Sequence, residues 1–292
     1  VYGVARTTGE KEIPYKIVYK RQQKWERYGD PDSWRREYDL YEANLDTVFS
    51  DSFRWPKCYY AELSEDETQI WMEYIEGISG LKLTGVMQSQ AAEELGRFQG
   101  RLYAQQPEFL NEVTNLSKKE YSKNFYLHYR SWNEVYDYIR TEDCEIPRYL
   151  CKMLIDADER SDEIWASIER LPVVLCHRDF WVANIFYVDQ NIRLIDWDTA
   201  GWGYMGEDIA SLIADEADVG HMVEYYGRCV KAYYKGFSEY VDISHIKSSY
   251  VKELILFMFG YRLVEGYKFA ETSEERALQI DTLHKIYEMD VL

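Results

Sequence analysis

The stretch Cys176–Gly203, CHRDFWVANIFYVDQNIRLIDWDTAGWG, decides how this chain is read. Its apolar runs NIFYV and IRLIDW have the β-branched and aromatic content of short strands. Asp189–Asn191, between them, has the composition of a hairpin turn. A hairpin returns its ends to one edge. Asn184, opening the first strand, and Asp196, closing the second, are therefore expected as neighbours. Asp179 stands in the loop after a third strand-like run, PVVLCH. Spacing leaves two readings open. These acids are ordinary turn residues, or they gather around a metal ion.

Composition narrows the classes. A chain of 292 residues, 46% of them apolar, suits one large domain or two lobes with a buried core. Lys and Arg number 34 against 52 Asp and Glu, a net charge of −18. Such a surface repels nucleic acid and anionic membranes, and it attracts a cationic substrate. Five scattered cysteines show no CxxC and no zinc spacing. They read as reduced thiols of a cytoplasmic protein. No signal peptide and no membrane-length apolar run stands out. The first residue is Val, which fits a start inside a longer protein. Oligomeric state is not written in any of these features.

Along the chain the periodicity changes once. VYGVART, TGEK and IPYKIVYKR read as strand, turn and strand. DPDSWRREYDLYEANL follows as a helix started near Asp30 or Asp32, with Trp34, Tyr38, Tyr41 and Leu45 at helical spacing. KCYYAELS and TQIWMEYIEG are again strands, so residues 1–76 read as a small β-β-α-β-β lobe. Residues 77–292 are mainly helical around the short strands of the opening stretch. Three helices are expected before those strands, over residues 89–105, 121–139 and 147–171.

Phosphoryl transfer needs a carboxylate at the acceptor hydroxyl, hard oxygen ligands for Mg²⁺ and a cation on the phosphates. Asp179, the pair Asn184 and Asp196, and Lys20 have the required types. Here the sequence resembles a known family. HRDFWVAN matches the catalytic loop of protein kinases and of their small-molecule relatives, the aminoglycoside phosphotransferase and choline kinase group. LIDWD resembles the family's metal-binding motif, and GEDIA the element that follows it. IVYKR resembles the strand of the phosphate-binding Lys, RREYDLY the helix of its Glu partner, and WMEYIEG the adenine-binding hinge.

The resemblance implies an α+β, protein-kinase-like two-lobe fold and transfer of the γ-phosphoryl of ATP or GTP to a hydroxyl of a small molecule. Asp179 would be the base, Asn184 and Asp196 the Mg²⁺ ligands, and Lys20 the phosphate cation held by Glu37. The backbone of Glu73 and Ile75 would hold the base of the nucleotide, with Met72 behind it. His177 would pack beneath the loop, and Arg178 would meet a nearby acid. Asp198 would touch a second metal or orient its loop, and Asp208 would accept loop N–H groups.

Trp181 replaces the Lys usual in protein serine/threonine kinases. Residues 199–207 are all that separate Asp198 from Asp208, and no A-P-E follows. Both features point away from protein substrates. The first strand and the phosphate-covering loop of the small lobe find no match, so that lobe is expected to be truncated or reduced. An aminoglycoside-like acceptor is the first expectation, with the acidic Asp215, Glu216 and Asp218 as its contacts. Choline or another small alcohol, bound by aromatic rings, is the second. A non-catalytic binding or coat protein of the same fold is the third.

Overall fold

The computed structural model of the chain describes residues 1–6, 8, 11–132, 134–215 and 218–289. Strands β1 (Tyr2–Arg6) and β2 (Glu12–Gln23) form an antiparallel hairpin, with Arg6 opposite Glu12. Helix α1 (Ser33–Glu42) follows. It buries Trp34, Glu37 and Leu40, not the Trp34–Tyr38–Tyr41 face that apolar spacing suggests. Two of its charged residues, Arg36 and Glu37, face inward because partners wait for them there.

Next come β3 (Phe53–Arg54), β4 (Cys58–Leu63), β5 (Glu67–Glu73) and β6 (Ile78–Ser79). The first sheet has the order β1-β2-β5-β4 and is antiparallel throughout. β2 is central, and Lys20 on it stands opposite Ile70 of β5.

Helices α2 (Gly85–Gln105), α3 (Tyr121–Trp132), α4 (Val135–Tyr138), α5 (Arg148–Glu159) and α6 (Ser161–Ile168) make the next section. Two helices expected as continuous are each divided. Glu134, in a left-handed conformation at φ 50°, separates α3 from α4. Arg160, at φ −97° and ψ 10°, ends α5 and opens α6. The polar run Asp158–Asp162 offers few apolar anchors to carry one helix across.

Strands β7 (Val173–Cys176), β8 (Ile185–Val188), β9 (Asn191–Leu194) and β10 (Gly201–Tyr204) precede α7 (Glu207–Ala214), α8 (Met222–Ser238), α9 (Tyr250–Phe269) and α10 (Ser273–Glu288). A second sheet has the order β3-β9-β8-β6, and β10 pairs with β7 in a third. β3 therefore leaves the first section of chain to run parallel to β9. The sequence showed β7, β8 and β9. It did not show β3 and β6, which are two residues long, or β10, whose GWGY reads as a turn. Gly201 is needed there because a Cβ would lie 2.5 Å from the Ser117 carbonyl oxygen.

The largest helix contact joins α2 to α8. A Cβ on Gly96 would lie 2.2 Å from the Tyr233 carbonyl oxygen, and one on Gly236 would lie 2.1 Å from that of Glu93. The two backbones touch, and only glycine permits it. Among the described residues no helix is long and apolar enough to cross a membrane. Replacing Gly236 with Val should push the helices apart. It should cost about 1–3 kcal/mol or more, read as a lower denaturation midpoint at unchanged m-value.

Candidate active site

The β8–β9 hairpin closes with Val188 opposite Asn191. Its two loop residues, Asp189 and Gln190, have φ of 48° and 67°. That is the mirror-image turn whose twist suits paired strands. Ile185 therefore faces Leu194, and the Ile195 N–H donates to the Asn184 carbonyl at 3.0 Å. This register sets Asn184 beside the Ile195–Asp196 peptide. Asn184 Nδ2 donates to both Asp179 oxygens on offer, the backbone carbonyl at 2.9 Å and Oδ2 at 2.6 Å. The amide oxygen is thereby turned away from Asp179.

Asp196 meets the first sheet through Lys20. Lys20 Nζ lies 2.6 Å from Asp196 Oδ1 and 2.5 Å from Glu37 Oε2. Burial alone would lower the Lys20 pKa, but the two carboxylates raise it, so the ammonium stays charged. Burial opposes ionisation of Asp196 too, and Lys20 outweighs it and holds the carboxyl below the ordinary range. Burial pushes the Asp179 carboxyl up, against the hydrogen bond from Asn184.

The loop between β7 and β8 is held from below. His177 is 1% exposed, its Nε2 lies 3.0 Å from the Ile195 carbonyl, and its ring packs edge-on to Trp197. Burial lowers its pKa to about 4. Asp208 accepts the N–H of His177 at 2.9 Å and that of Arg178 at 2.7 Å. Burial pushes its carboxyl up to about 6 despite these bonds. Arg178 and Asp196 both adopt φ of 67°. Two non-glycine residues in the left-handed region flank Asp179, a strain that fixed surroundings must hold. The Arg178 guanidinium donates to the Lys118 and Trp202 carbonyls and lies 3.9 Å from Glu207.

Asp198 sends its carboxylate to Gln22 at 3.2 Å and Arg27 at 3.6 Å. Met72 is buried in β5. Glu73 does not turn its side chain to a ligand: Arg54 grips the carboxylate at 2.6 and 3.0 Å. Its N–H donates to the Lys57 carbonyl at 2.9 Å. Ile75 is half-buried in the irregular link between β5 and β6. Of the acidic run, Asp215 lines a cavity beside Asp179 and pairs with Arg262 at 3.3 Å. Asp218 lies elsewhere, paired with His221 at 2.9 Å. Glu216 lies outside the described residues.

Several site residues were not singled out from sequence. Arg36, 1% exposed, grips Asp30, the Asn115 carbonyl at 2.8 Å and the Asp198 carbonyl at 2.9 Å. It ties α1 to the loop after Asp196. Gln99 donates to Asp208 at 2.9 Å and to the Leu175 carbonyl at 3.1 Å, and it accepts from Tyr233 at 2.5 Å. Its signal was present: a Gln inside the Leu95–Phe98–Leu102 stripe must find partners when buried.

Among the described residues no cluster of three or more His, Cys, Asp or Glu could hold a metal. Asn184 and Asp196 are two oxygen donors, too few for a closed cage. They fit Mg²⁺, which keeps waters and takes one or two protein ligands beside substrate phosphates.

Comparison with known proteins follows the same line. The model of the phosphotransferase enzyme family (APH) matches residues 20–240. No curated protein sequence matches. Among solved structures, an amicoumacin kinase in complex with AMP-PNP, Ca²⁺ and Ami is similar at TM-score 0.58 and 13% identity, covering 99% of this chain and 85% of that one. An aminoglycoside phosphotransferase from Alicyclobacillus acidocaldarius subsp. acidocaldarius DSM 446 is similar at 0.57 and 15%, covering 99% and 87%. A choline kinase from Cryptosporidium parvum Iowa II is similar at 0.50 and 18%, covering 87% and 77%. All share the kinase-like fold.

His177 and Asp208 oppose each other in acid. A histidine whose folded pKa is depressed gives stability that is present above about 6.5 and lost as pH falls through about 4. A carboxyl whose folded pKa is raised gives stability that is present below its unfolded value and lost as pH rises through about 6. Comparison with His177→Asn isolates the first effect. The wild type should lose about 2 kcal/mol relative to that variant between pH 6.5 and pH 5, measured by denaturant titration at both.

Proposed function

Because this chain belongs to the phosphotransferase enzyme family, we propose that it transfers the γ-phosphoryl group of ATP or GTP to a hydroxyl of a small molecule. One observation carries the reading: Asp179 accepts from Asn184, the Asn184 carbonyl accepts the N–H of Ile195 next to Asp196, and Asp196 and Glu37 share Lys20, across two sheets. Asp179 orients the acceptor hydroxyl and takes its proton. Asn184 holds Oδ2 of that carboxylate and so fixes which oxygen faces the acceptor. Lys20 turns its charge to the nucleotide phosphates, with Glu37 holding the amine in place. The Glu73 carbonyl and the Ile75 N–H hold the base of the nucleotide against Met72. Mg²⁺, bound by Asn184, Asp196 and the phosphates, would neutralise charge on the transferring group. Residues 1–76 act as the nucleotide lobe and 77–292 as the catalytic and acceptor lobe.

The solved relatives are named for amicoumacin, aminoglycoside and choline. That spread supports a small-molecule acceptor and leaves its class to the cavity of this chain. An aminoglycoside-like acceptor, the first expectation, finds only Asp215 of its three expected carboxylates at that cavity among the described residues. A small alcohol held by aromatic rings is the reading favoured by the lining.

Asp179→Asn should lower kcat by about 10²–10⁴-fold, the usual worth of a positioned base, in a coupled ADP-release assay. Nucleotide-induced thermal stabilisation should persist in that variant, and full retained turnover would refute the assignment. Because burial raises the Asp179 carboxyl, the acid limb of the kcat/KM profile should lie above the ordinary Asp value. Activity falls as pH drops through that limb. Removing Mg²⁺ with EDTA should abolish turnover and most of the nucleotide-induced stabilisation, and EDTA-insensitive turnover would remove Asn184 and Asp196 as ligands.

A further inference from the structure

Beside Asp179 lies a cavity of about 560 Å³, a size suited to small molecules. One wall is a stripe on α3. Tyr121, Phe125 and Tyr129 are four residues apart and share a face. Their ring centroids are 5.8 and 4.5 Å apart in sequence order, and Tyr129 stacks on Tyr261 of α9 at 4.5 Å and 19°. All three α3 rings are half-buried. On the neighbouring face of α3, Ser122 donates to Glu207 at 2.7 Å and Tyr126 to Asp158 at 2.8 Å. All three rings line the cavity, Phe125 and Tyr129 with part of their surface also packed on the core.

Charge at the cavity differs from that of the chain. Among the described lining residues, the carboxylates Asp179, Glu207 and Asp215 meet the guanidiniums of Arg27, Arg178 and Arg262. Glu207 is already taken by Ser122 Oγ, by the Tyr204 N–H at 2.8 Å and by Arg178. Asp215 pairs with Arg262. Two rings are already covered by cations of the protein, Tyr121 by Arg178 at 4.7 Å and Phe259 by Arg262 at 5.6 Å. A polycation entering here would shed water and find carboxylates that have partners, with three guanidiniums opposing it. A quaternary ammonium would compete with Arg178 and Arg262 for ring faces. A flat uncharged ring sheds no ionic hydration and is not repelled by the three guanidiniums, and it can lie against Phe125, over which no cation–π contact is seen among the described residues.

We propose that the acceptor is a neutral alcohol with a flat aromatic body, seated along Tyr121, Phe125 and Tyr129 with its hydroxyl toward Asp179. This rests on the phosphotransfer reading. The acceptor oxygen forms the new P–O bond, the nucleoside diphosphate leaves, and the hydroxyl proton passes to Asp179. The aminoglycoside and choline expectations give way to an aryl alcohol.

The test uses the full chain with MgATP or MgGTP and two sets of acceptors. Salicin, 2-phenylethanol and 4-hydroxybenzyl alcohol form one set, and kanamycin and choline the other. Binding is read by calorimetry and turnover by ADP or GDP release. At least one aryl alcohol should show kcat/KM tenfold or more above kanamycin and choline. Its KM should rise at least tenfold in Phe125→Ala, and also in the milder Phe125→Leu should the first variant fold poorly. Higher kcat/KM for kanamycin or choline, or an unchanged KM in Phe125→Leu, overturns the inference and leaves phosphotransfer standing. Absence of turnover with both MgATP and MgGTP and every acceptor overturns phosphotransfer, and the inference with it.

Discussion

A single buried carboxylate holds the loop between β7 and β8 in its shape. Asp208 takes the N–H groups of two successive residues, His177 and Arg178, and the side-chain amide of Gln99. Gln99 in turn accepts from Tyr233 on α8. The loop, α7, α2 and α8 thus meet at one point. The Asp208 bond to the Arg178 N–H, together with the Lys118 and Trp202 carbonyls on the guanidinium, holds Arg178 at a φ of 67°, a conformation that costs of order 1–3 kcal/mol at a non-glycine residue. Asp179 follows directly in the chain, so its aim depends on that constraint. The close glycine contact of α2 with α8 belongs to the same design, because it brings Tyr233 within reach of Gln99.

The first sheet is coupled to this centre by two cations with different tasks. Lys20 bridges Glu37 and Asp196, and both partners are shared with the chemistry proposed for the site. Its ammonium has flexible reach, which suits a group that must turn from a carboxylate to a phosphate. Arg36 sits one residue before Glu37 and has no such freedom. Its planar fork is filled by Asp30 and by the carbonyls of Asn115 and Asp198. It sets where α1 stands, and so where Glu37 can hold Lys20. A lysine at position 36 would keep the charge and lose the fork.

The hairpin logic was legible from sequence because it depends on local rules. Asn184, Asp196 and the turn at Asp189 follow from strand composition and turn chemistry alone. Of the inward-facing charges of α1, Glu37 came only from the family resemblance and Arg36 was not legible. Apolar spacing gives Arg36 and Glu37 to solvent, and partners 6 to 162 residues away in sequence draw them inside. Strands β3 and β6 were hidden for a related reason: two residues have no period, and their pairing comes wholly from β9 and β8. The helix breaks at Glu134 and Arg160 were missed because each is one residue's backbone angle inside a helical composition. The acidic run read as one patch is divided by the fold, with Asp215 at the cavity and Asp218 away from it.

That division bears on how net charge should be used. A charge of −18 summed over 292 residues describes a far field, which acts on encounter and is screened within about 10 Å at ordinary salt. Recognition depends on the groups within contact distance, and at the cavity these are balanced, three against three among the described residues. Their balance is also local, since Glu207 and Asp215 each have a guanidinium close by. Among the described lining carboxylates, Asp179 is the one with no guanidinium within ion-pair distance, and its Oδ2 accepts from Asn184. On the proposed function, a site in which every lining charge but that of Asp179 is paired selects for shape and ring surface rather than for the charge of the exterior.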